Sequence, residues 1–167
     1  MTKKDARQPG TPATVALTRA GIPFTAHVYE HDPAAASYGL EAAVALGLAP
    51  AEVFKTLLAT VDDATVVAVV PVDRSLDLKA LAHACKGRKA AMAVPADAQR
   101  LTGYVVGGVS PIGQKRALAT VIDIGAQDHD VIYVSGGQRG FDIGLAPADL
   151  ARITGGQFAA IARDGRP

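Results

Sequence analysis

Two strand-length apolar runs, residues 53–60 and 65–72, are divided by Asp62-Asp63. Segments so short and so apolar, bounded by turn-forming acids, read as buried strands, so the chain is committed to a sheet. Further strands read at 24–29, where Phe24, Ala26 and Val28 alternate with Thr25, His27 and Tyr29, and at 90–94, 119–124, 131–134, 141–143 and 158–162. Helices read at 12–20, capped by Thr11 with Pro12 in the first turn, at 39–47, at 77–86 from Asp77, and at 95–101 and 147–153 behind Pro95 and Pro147. Between Gly103 and Gly113 the chain is too rich in glycine for a helix, and Ser135–Gly140 reads as a glycine-rich loop. Helices and strands mix without strict alternation, and the last third is mostly strand. That pattern predicts an α+β fold: one domain whose mixed, mostly antiparallel sheet curls into a barrel with flanking helices.

Composition narrows the class further. At 167 residues the chain suits one domain, expected over residues 11–162 between a flexible lead (1–10) and a short tail (163–167). Hydrophobic residues at 49% against 20% charged exclude disorder as the main state. No apolar run is long enough to span a bilayer, and the polar MTKKDARQPG argues against a secretory leader, so a cytoplasmic location is expected. The single cysteine, Cys85, cannot close an internal disulfide and lies on the apolar stripe of its helix, where it reads as core. A net charge of +1 excludes a nucleic-acid binder that works by bulk attraction, while leaving room for a few contacts or a partner.

Lys55 is the residue that fits its surroundings least. Strand alternation puts it on one face with Leu57 and Ala59, where an ammonium must reach water, a partner or an anion. Two readings stand: a fixed cation for a phosphate, carboxylate or developing oxyanion, or an edge lysine whose stem packs and whose amine reaches solvent. His27, His31 and Asp32 have a spacing that suits a helical metal site. On a strand, however, positions 27 and 31 lie about 13 Å apart, so no metal is expected. The glycine-rich stretches 107–111 and 135–140 offer unobstructed backbone amides that can hold anions or carbonyl oxygens, or can simply be tight turns. Neither has the spacing of a phosphate-binding loop, and Val134 and Gly136 around Ser135 do not make a nucleophile elbow. The basic residues Lys86, Arg88, Lys89, Lys115 and Arg116 read as phosphate contacts or as ordinary solvated surface.

Four segments in collinear order, IPFTAHVYEHD (22–32), VFKTLL (53–58), GYVVGGVSPIGQK (103–115) and IYVSGGQRGFDI (132–143), resemble the YbaK/EbsC family. These are bacterial stand-alone Cys-tRNA(Pro) deacylases related to the editing domain of prolyl-tRNA synthetase, and the resemblance covers residues 11–162. It implies a trans-editing deacylase that releases cysteine from mischarged Cys-tRNA(Pro), with Cys-tRNA(Cys) as an open second substrate. It assigns Lys55 to the terminal adenosine or phosphate, Tyr29 and Tyr38 to the pocket, and Gly107 and Pro111 to the loop at the aminoacyl carbonyl. Ser135 and Asp142 are assigned to the amino-acid pocket and its chemistry. The resemblance also implies no cofactor, a tRNA(Pro) substrate and prolyl-tRNA synthetase as partner. No protein nucleophile with a base stands out, so the expected chemistry uses the bound cysteine's own thiol. Two rivals remain: a deacylase of other specificity, such as for Ala-tRNA(Pro), with Leu57, Tyr38 and Val109 as pocket walls, and a non-catalytic binder of tRNA or nucleotide ends.

Overall fold

The computed structural model describes residues 8–35 and 37–164. In chain order the elements are α1 (Pro12–Arg19), β1 (Thr25–Val28), α2 (Tyr38–Leu46), β2 (Phe54–Val61), β3 (Ala64–Pro71), β4 (Arg74–Leu76), α3 (Leu78–Ala84), β5 (Ala90–Met92), α4 (Pro95–Thr102), β6 (Ala119–Asp123), β7 (Ile132–Gln138), β8 (Phe141–Leu145), α5 (Pro147–Thr154), β9 (Gln157–Ala159) and β10 (Ala162–Asp164). The flexible lead expected over 1–10 falls largely outside the described residues, as does the tail from 165 onward.

The two apolar runs that dominate the sequence pair as an antiparallel hairpin, Phe54 facing Pro71 and Val61 facing Ala64. This hairpin is the centre of a five-stranded sheet in the order β5-β2-β3-β6-β9. Alternation sends Phe54, Leu58, Val67 and Val69 to one core cluster and Ala59, Val61, Val66, Ala68 and Val70 to another. Both sides of the hairpin are therefore covered, which is why its sequence is apolar almost throughout. The first cluster continues into Leu17 of α1, Ile132, Val134, Phe141 and Ile143 of the β7–β8 hairpin, and Leu150 of α5. The second is closed by Leu81 of α3 and by Ile161. Among the described residues no helix is long and apolar enough to cross a membrane.

The strands divide into the five-stranded sheet, a three-stranded sheet β1-β8-β7 and the pair β10-β4. A bridge between Val53 and Tyr133 links the two larger sheets. The ladders are mostly antiparallel, with β3–β6 and β6–β9 parallel, so the mixed character expected from the sequence holds. Asp123 sets the break between the last two strands. Its buried carboxylate accepts the N–H groups of Gly125, Ile161 and Ala162, and so turns the chain between β9 and β10. The strand expected at 158–162 is thereby cut into two short strands on different sheets, and residues 163 and 164, assigned to the tail, pair with Ser75 and Arg74.

Candidate functional site

The cleft opens where β2 loses a neighbour. On the edge away from β3, β5 pairs with β2 only over Ala59–Val61, and the last bond runs from Ala93 N–H to Leu58 C=O. At the other end of the strand Val53 bridges Tyr133. Since backbone groups two residues apart point to the same edge, Thr56 is left facing a gap that no strand covers. Around this gap lies a cavity of about 410 Å³, within the range of small-ligand sites. Its walls include Lys55, Leu57, Tyr29, Tyr38, Gly107, Val109, Ser135 and Asp142. Six of the seven site residues expected from the sequence thus meet in one place, as do all three expected wall residues.

Pro111 does not. It is buried outside the cavity lining. There the loop is closed on itself by Tyr104 O–H donating to Ile112 C=O, Ile112 N–H to Ser110 Oγ, and Gln114 to Ser110 C=O.

Lys55 keeps the strand parity read from the sequence, facing Val70 across the hairpin and sharing its side with Leu57 and Ala59. It lies near the start of the strand, where the sheet gives way to the cleft, and it is half-buried there. Burial lowers its pKa from the usual 10.5, with Asp73 acting in the opposite direction. Among the described residues no carboxylate pairs with it. A half-buried ammonium beside a cavity, without an ion pair, is a ready partner for an anion.

The opposite wall comes from the three-stranded sheet. Ser135 of β7 and His27 of β1 stand on either side of Asp142 of β8, in register with it. Sequence reading treated 135–140 as a loop, yet β7 runs through Gln138, with a bulge between Ser135 and Gln138. Bulges of this kind re-aim a side chain and end a ladder. Ser135 Oγ accepts from Gly137 N–H, and Thr11 O–H at the cap of α1 donates to Gly136 C=O, so the first helix anchors this wall. His27 is bonded to Thr25 Oγ1 at 2.7 Å and meets the Tyr133 ring edge-on.

Asp142 is 6% exposed, and burial pushes its pKa up from 3.8 to about 7. Tyr29, beside it in the cleft, is raised to about 12, by burial first and then by the charges of Asp142 and Glu41. Since the folded chain holds the Asp142 proton more tightly than the unfolded chain, this group supports folding below about pH 4. That support is lost as the pH rises through about 7. Asp142→Asn should remove this slope and leave the protein more stable than wild type at pH 8, by up to about 4 kcal/mol. Urea unfolding of both proteins at pH 4.5 and pH 8 reads it. An unchanged slope in the variant would mean that Asp142 does not carry the proton.

Sequence reading assigns no role to Thr56, and to Arg139 only proximity to the glycine-rich site loops. Thr56 Oγ1 is buried without a hydrogen-bond partner among the described residues, at the gap in the sheet. Arg139, beyond the end of β7, bonds the carbonyl of Val106 and lies over the Tyr38 ring, 5.3 Å from its centroid. A threonine within an apolar strand and an arginine in a glycine-rich turn carry no local sign of such placement.

A sequence model of the aminoacyl-tRNA editing domain matches residues 32–153. Over 121 residues the chain is 45% identical to an Enterococcus faecalis protein named as a candidate Cys-tRNA(Pro)/Cys-tRNA(Cys) deacylase, EbsC, covering 71% of this chain and 73% of that protein. Among solved structures, the hypothetical protein APE2540 superposes with a TM-score of 0.82 at 22% identity, over 92% of this chain and 100% of the other. A protein described as a candidate trans-editing enzyme for prolyl tRNA synthetase superposes at 0.78 and 23% identity, over 93% and 99%. At these identities the superpositions speak to the fold alone.

Proposed function

The chain belongs to the aminoacyl-tRNA editing domain family, and on that premise we propose that it is a deacylase releasing cysteine from mischarged Cys-tRNA(Pro). The observation that supports this most directly is the convergence of Lys55, Gly107, Ser135 and Asp142, from separate segments, on one cavity of about 410 Å³.

In this reading Lys55 holds the anionic acceptor end of the tRNA, and the backbone of the Gly107 loop faces the ester carbonyl oxygen. Tyr29 and Tyr38 flank the bound aminoacyl adenosine. Asp142, ionised above about pH 7, accepts the α-ammonium of the amino acid, with Ser135 next to it fixing the orientation. Ser135 is not paired with a base in the described residues: the bond to its Oγ comes from Gly137 N–H. The nucleophile is then the substrate's own sulfur. It attacks the ester carbon, a sulfur–carbon bond forms, the bond to the terminal ribose oxygen breaks, and the thiol proton passes to that oxygen. Water opens the resulting thiolactone to free cysteine. The protein contributes orientation and carbonyl polarisation, which for intramolecular attack are worth several kcal/mol.

A chain of net charge +1 has little bulk attraction for RNA, so prolyl-tRNA synthetase is the proposed partner that brings the substrate. Incubation of the purified protein with Cys-tRNA(Pro) tests both parts. Cysteine should be released faster than in buffer, and added synthetase should raise the rate further at moderate salt. An unchanged ester half-life would leave a binding module. Tight, steeply salt-dependent RNA binding by the protein alone would remove the need for the synthetase.

A further inference from the structure

Val105–Gly108 form a β-turn, closed by Gly108 N–H donating to Val105 C=O at 2.9 Å. Gly107 has φ +86, while Val106 is not among the residues with positive φ, which is the signature of a type II turn. Types I and II differ by a flip of the central peptide, here Val106 C=O and Gly107 N–H. In a trans peptide these two groups point in opposite directions. Whichever way the carbonyl is held, the amide is aimed the other way.

Arg139 holds that carbonyl. Its Nε donates to Val106 C=O at 2.9 Å and its terminal nitrogen to the same oxygen at 2.6 Å. The guanidinium is itself kept in place by the Tyr38 ring beneath it. Tyr38 in turn lies against His31, which is bonded to Glu41 at 2.8 Å. Space around the turn is already filled: a Cβ on Gly107 would lie 2.8 Å from Arg139 Nε and 2.9 Å from the Tyr38 ring. A Cβ on Gly108 would meet the Gln138 backbone at 2.8 Å. Arg139 is not part of the cavity lining, whereas Val106 and Gly107 are.

We propose that Arg139 is a positioning residue that locks the Val106–Gly107 peptide with its carbonyl outward and its N–H toward the cleft, as donor to the substrate's carbonyl oxygen. The proposal rests on the deacylase reading for the identity of that oxygen, and on the turn geometry alone for the lock. Without the guanidinium the peptide is free to flip to the type I arrangement, presenting a carbonyl where the reaction needs a donor. A doubly hydrogen-bonded cationic partner also polarises the peptide and so strengthens its N–H.

The test compares wild type with Arg139→Ala and Arg139→Lys, and with Arg152→Met as a surface control. Arg139→Ala should lower kcat about 100-fold, the scale for losing one oxyanion donor, with KM within about threefold and Tm little changed. Guanidinium ion at low millimolar concentration should restore part of kcat in Arg139→Ala only, and Arg139→Lys should fall between. A rise in KM at constant kcat would overturn the proposal in favour of a direct RNA contact. A fall in kcat that tracks Tm and ignores guanidinium would reduce Arg139 to a structural role. The Gly107 amide resonance, recorded without substrate, separates the two layers. It should move in Arg139→Ala and return with guanidinium even if the wild-type protein cleaves no aminoacyl ester, an outcome that would overturn the deacylase reading and support the lock. A resonance that stays put would overturn the lock.

Discussion

Alanine at position 55 is expected to lower the rate of cysteine release from Cys-tRNA(Pro) by about 10²–10³-fold, the range for removing one charge-stabilising group from a site shielded from water. The fold should survive the change. Lys55 has no ion pair among the described residues, and burial already disfavours its charged form, so the native state gives up little when the ammonium goes. The change also removes a stem packed near Leu57, a loss on the order of 1 kcal/mol. Activity and stability should therefore separate: single-turnover rates collapse while the urea midpoint shifts only slightly. Arginine should rescue poorly, because a planar fork does not occupy the place of a compact ammonium. If the alanine variant turns over at the wild-type rate, the cation has no part in the reaction and the assignment of the cleft fails with it.

The second large effect concerns the substrate. Because the proposed nucleophile belongs to the bound amino acid, alanyl- and prolyl-tRNA(Pro) lack it altogether. Seryl-tRNA(Pro) offers a hydroxyl, which is far less nucleophilic than a thiol. Each should be cleaved at least about 100-fold more slowly than the cysteinyl ester, a margin that intramolecular attack readily supplies. Shape alone would give about 10–200-fold, since a methyl-sized difference in an apolar pocket is worth about 1–3 kcal/mol, so a margin beyond that range marks the thiol as the nucleophile. A panel of the four charged tRNAs, read as first-order release rates under excess protein, distinguishes these cases. Similar rates for cysteinyl and alanyl esters would show that water or a protein group attacks, and would move the protein to the broader-specificity alternative. Alkylating the thiol of the charged cysteine before incubation should give the same answer from the substrate side: release should stop, because the capped sulfur can no longer attack the ester carbon.

Much of the architecture could be read directly because local chemistry set it. Thr11 caps α1 by accepting Thr14 N–H, and Asp77 caps α3 by accepting Ala80 N–H. Pro95 and Pro147 begin their helices as their fixed φ dictates, and Gly47 ends α2 in the left-handed region. Elements whose existence depends on distant partners were not legible. β4 is three residues long and is a strand only because β10 lies beside it. The 135–138 segment has the composition of a loop and becomes strand through its pairing with β8.

The same division runs through the site. From sequence alone came the odd lysine on its apolar face, the glycine stretches that leave amides open, and the collinear motifs, since each depends on residue type and spacing within one segment. Tertiary structure decided the rest. It left Thr56 at a gap along the edge of β2, and it placed Pro111 outside the cavity lining. It also buried Asp142 between two neighbouring strands and brought Arg139 onto the carbonyl of Val106, 33 residues earlier in the chain. The physical reason is range: strand parity, helix caps and turn preferences act over a few residues, while sheet closure, burial of a carboxylate and the aim of a peptide depend on which distant strands meet.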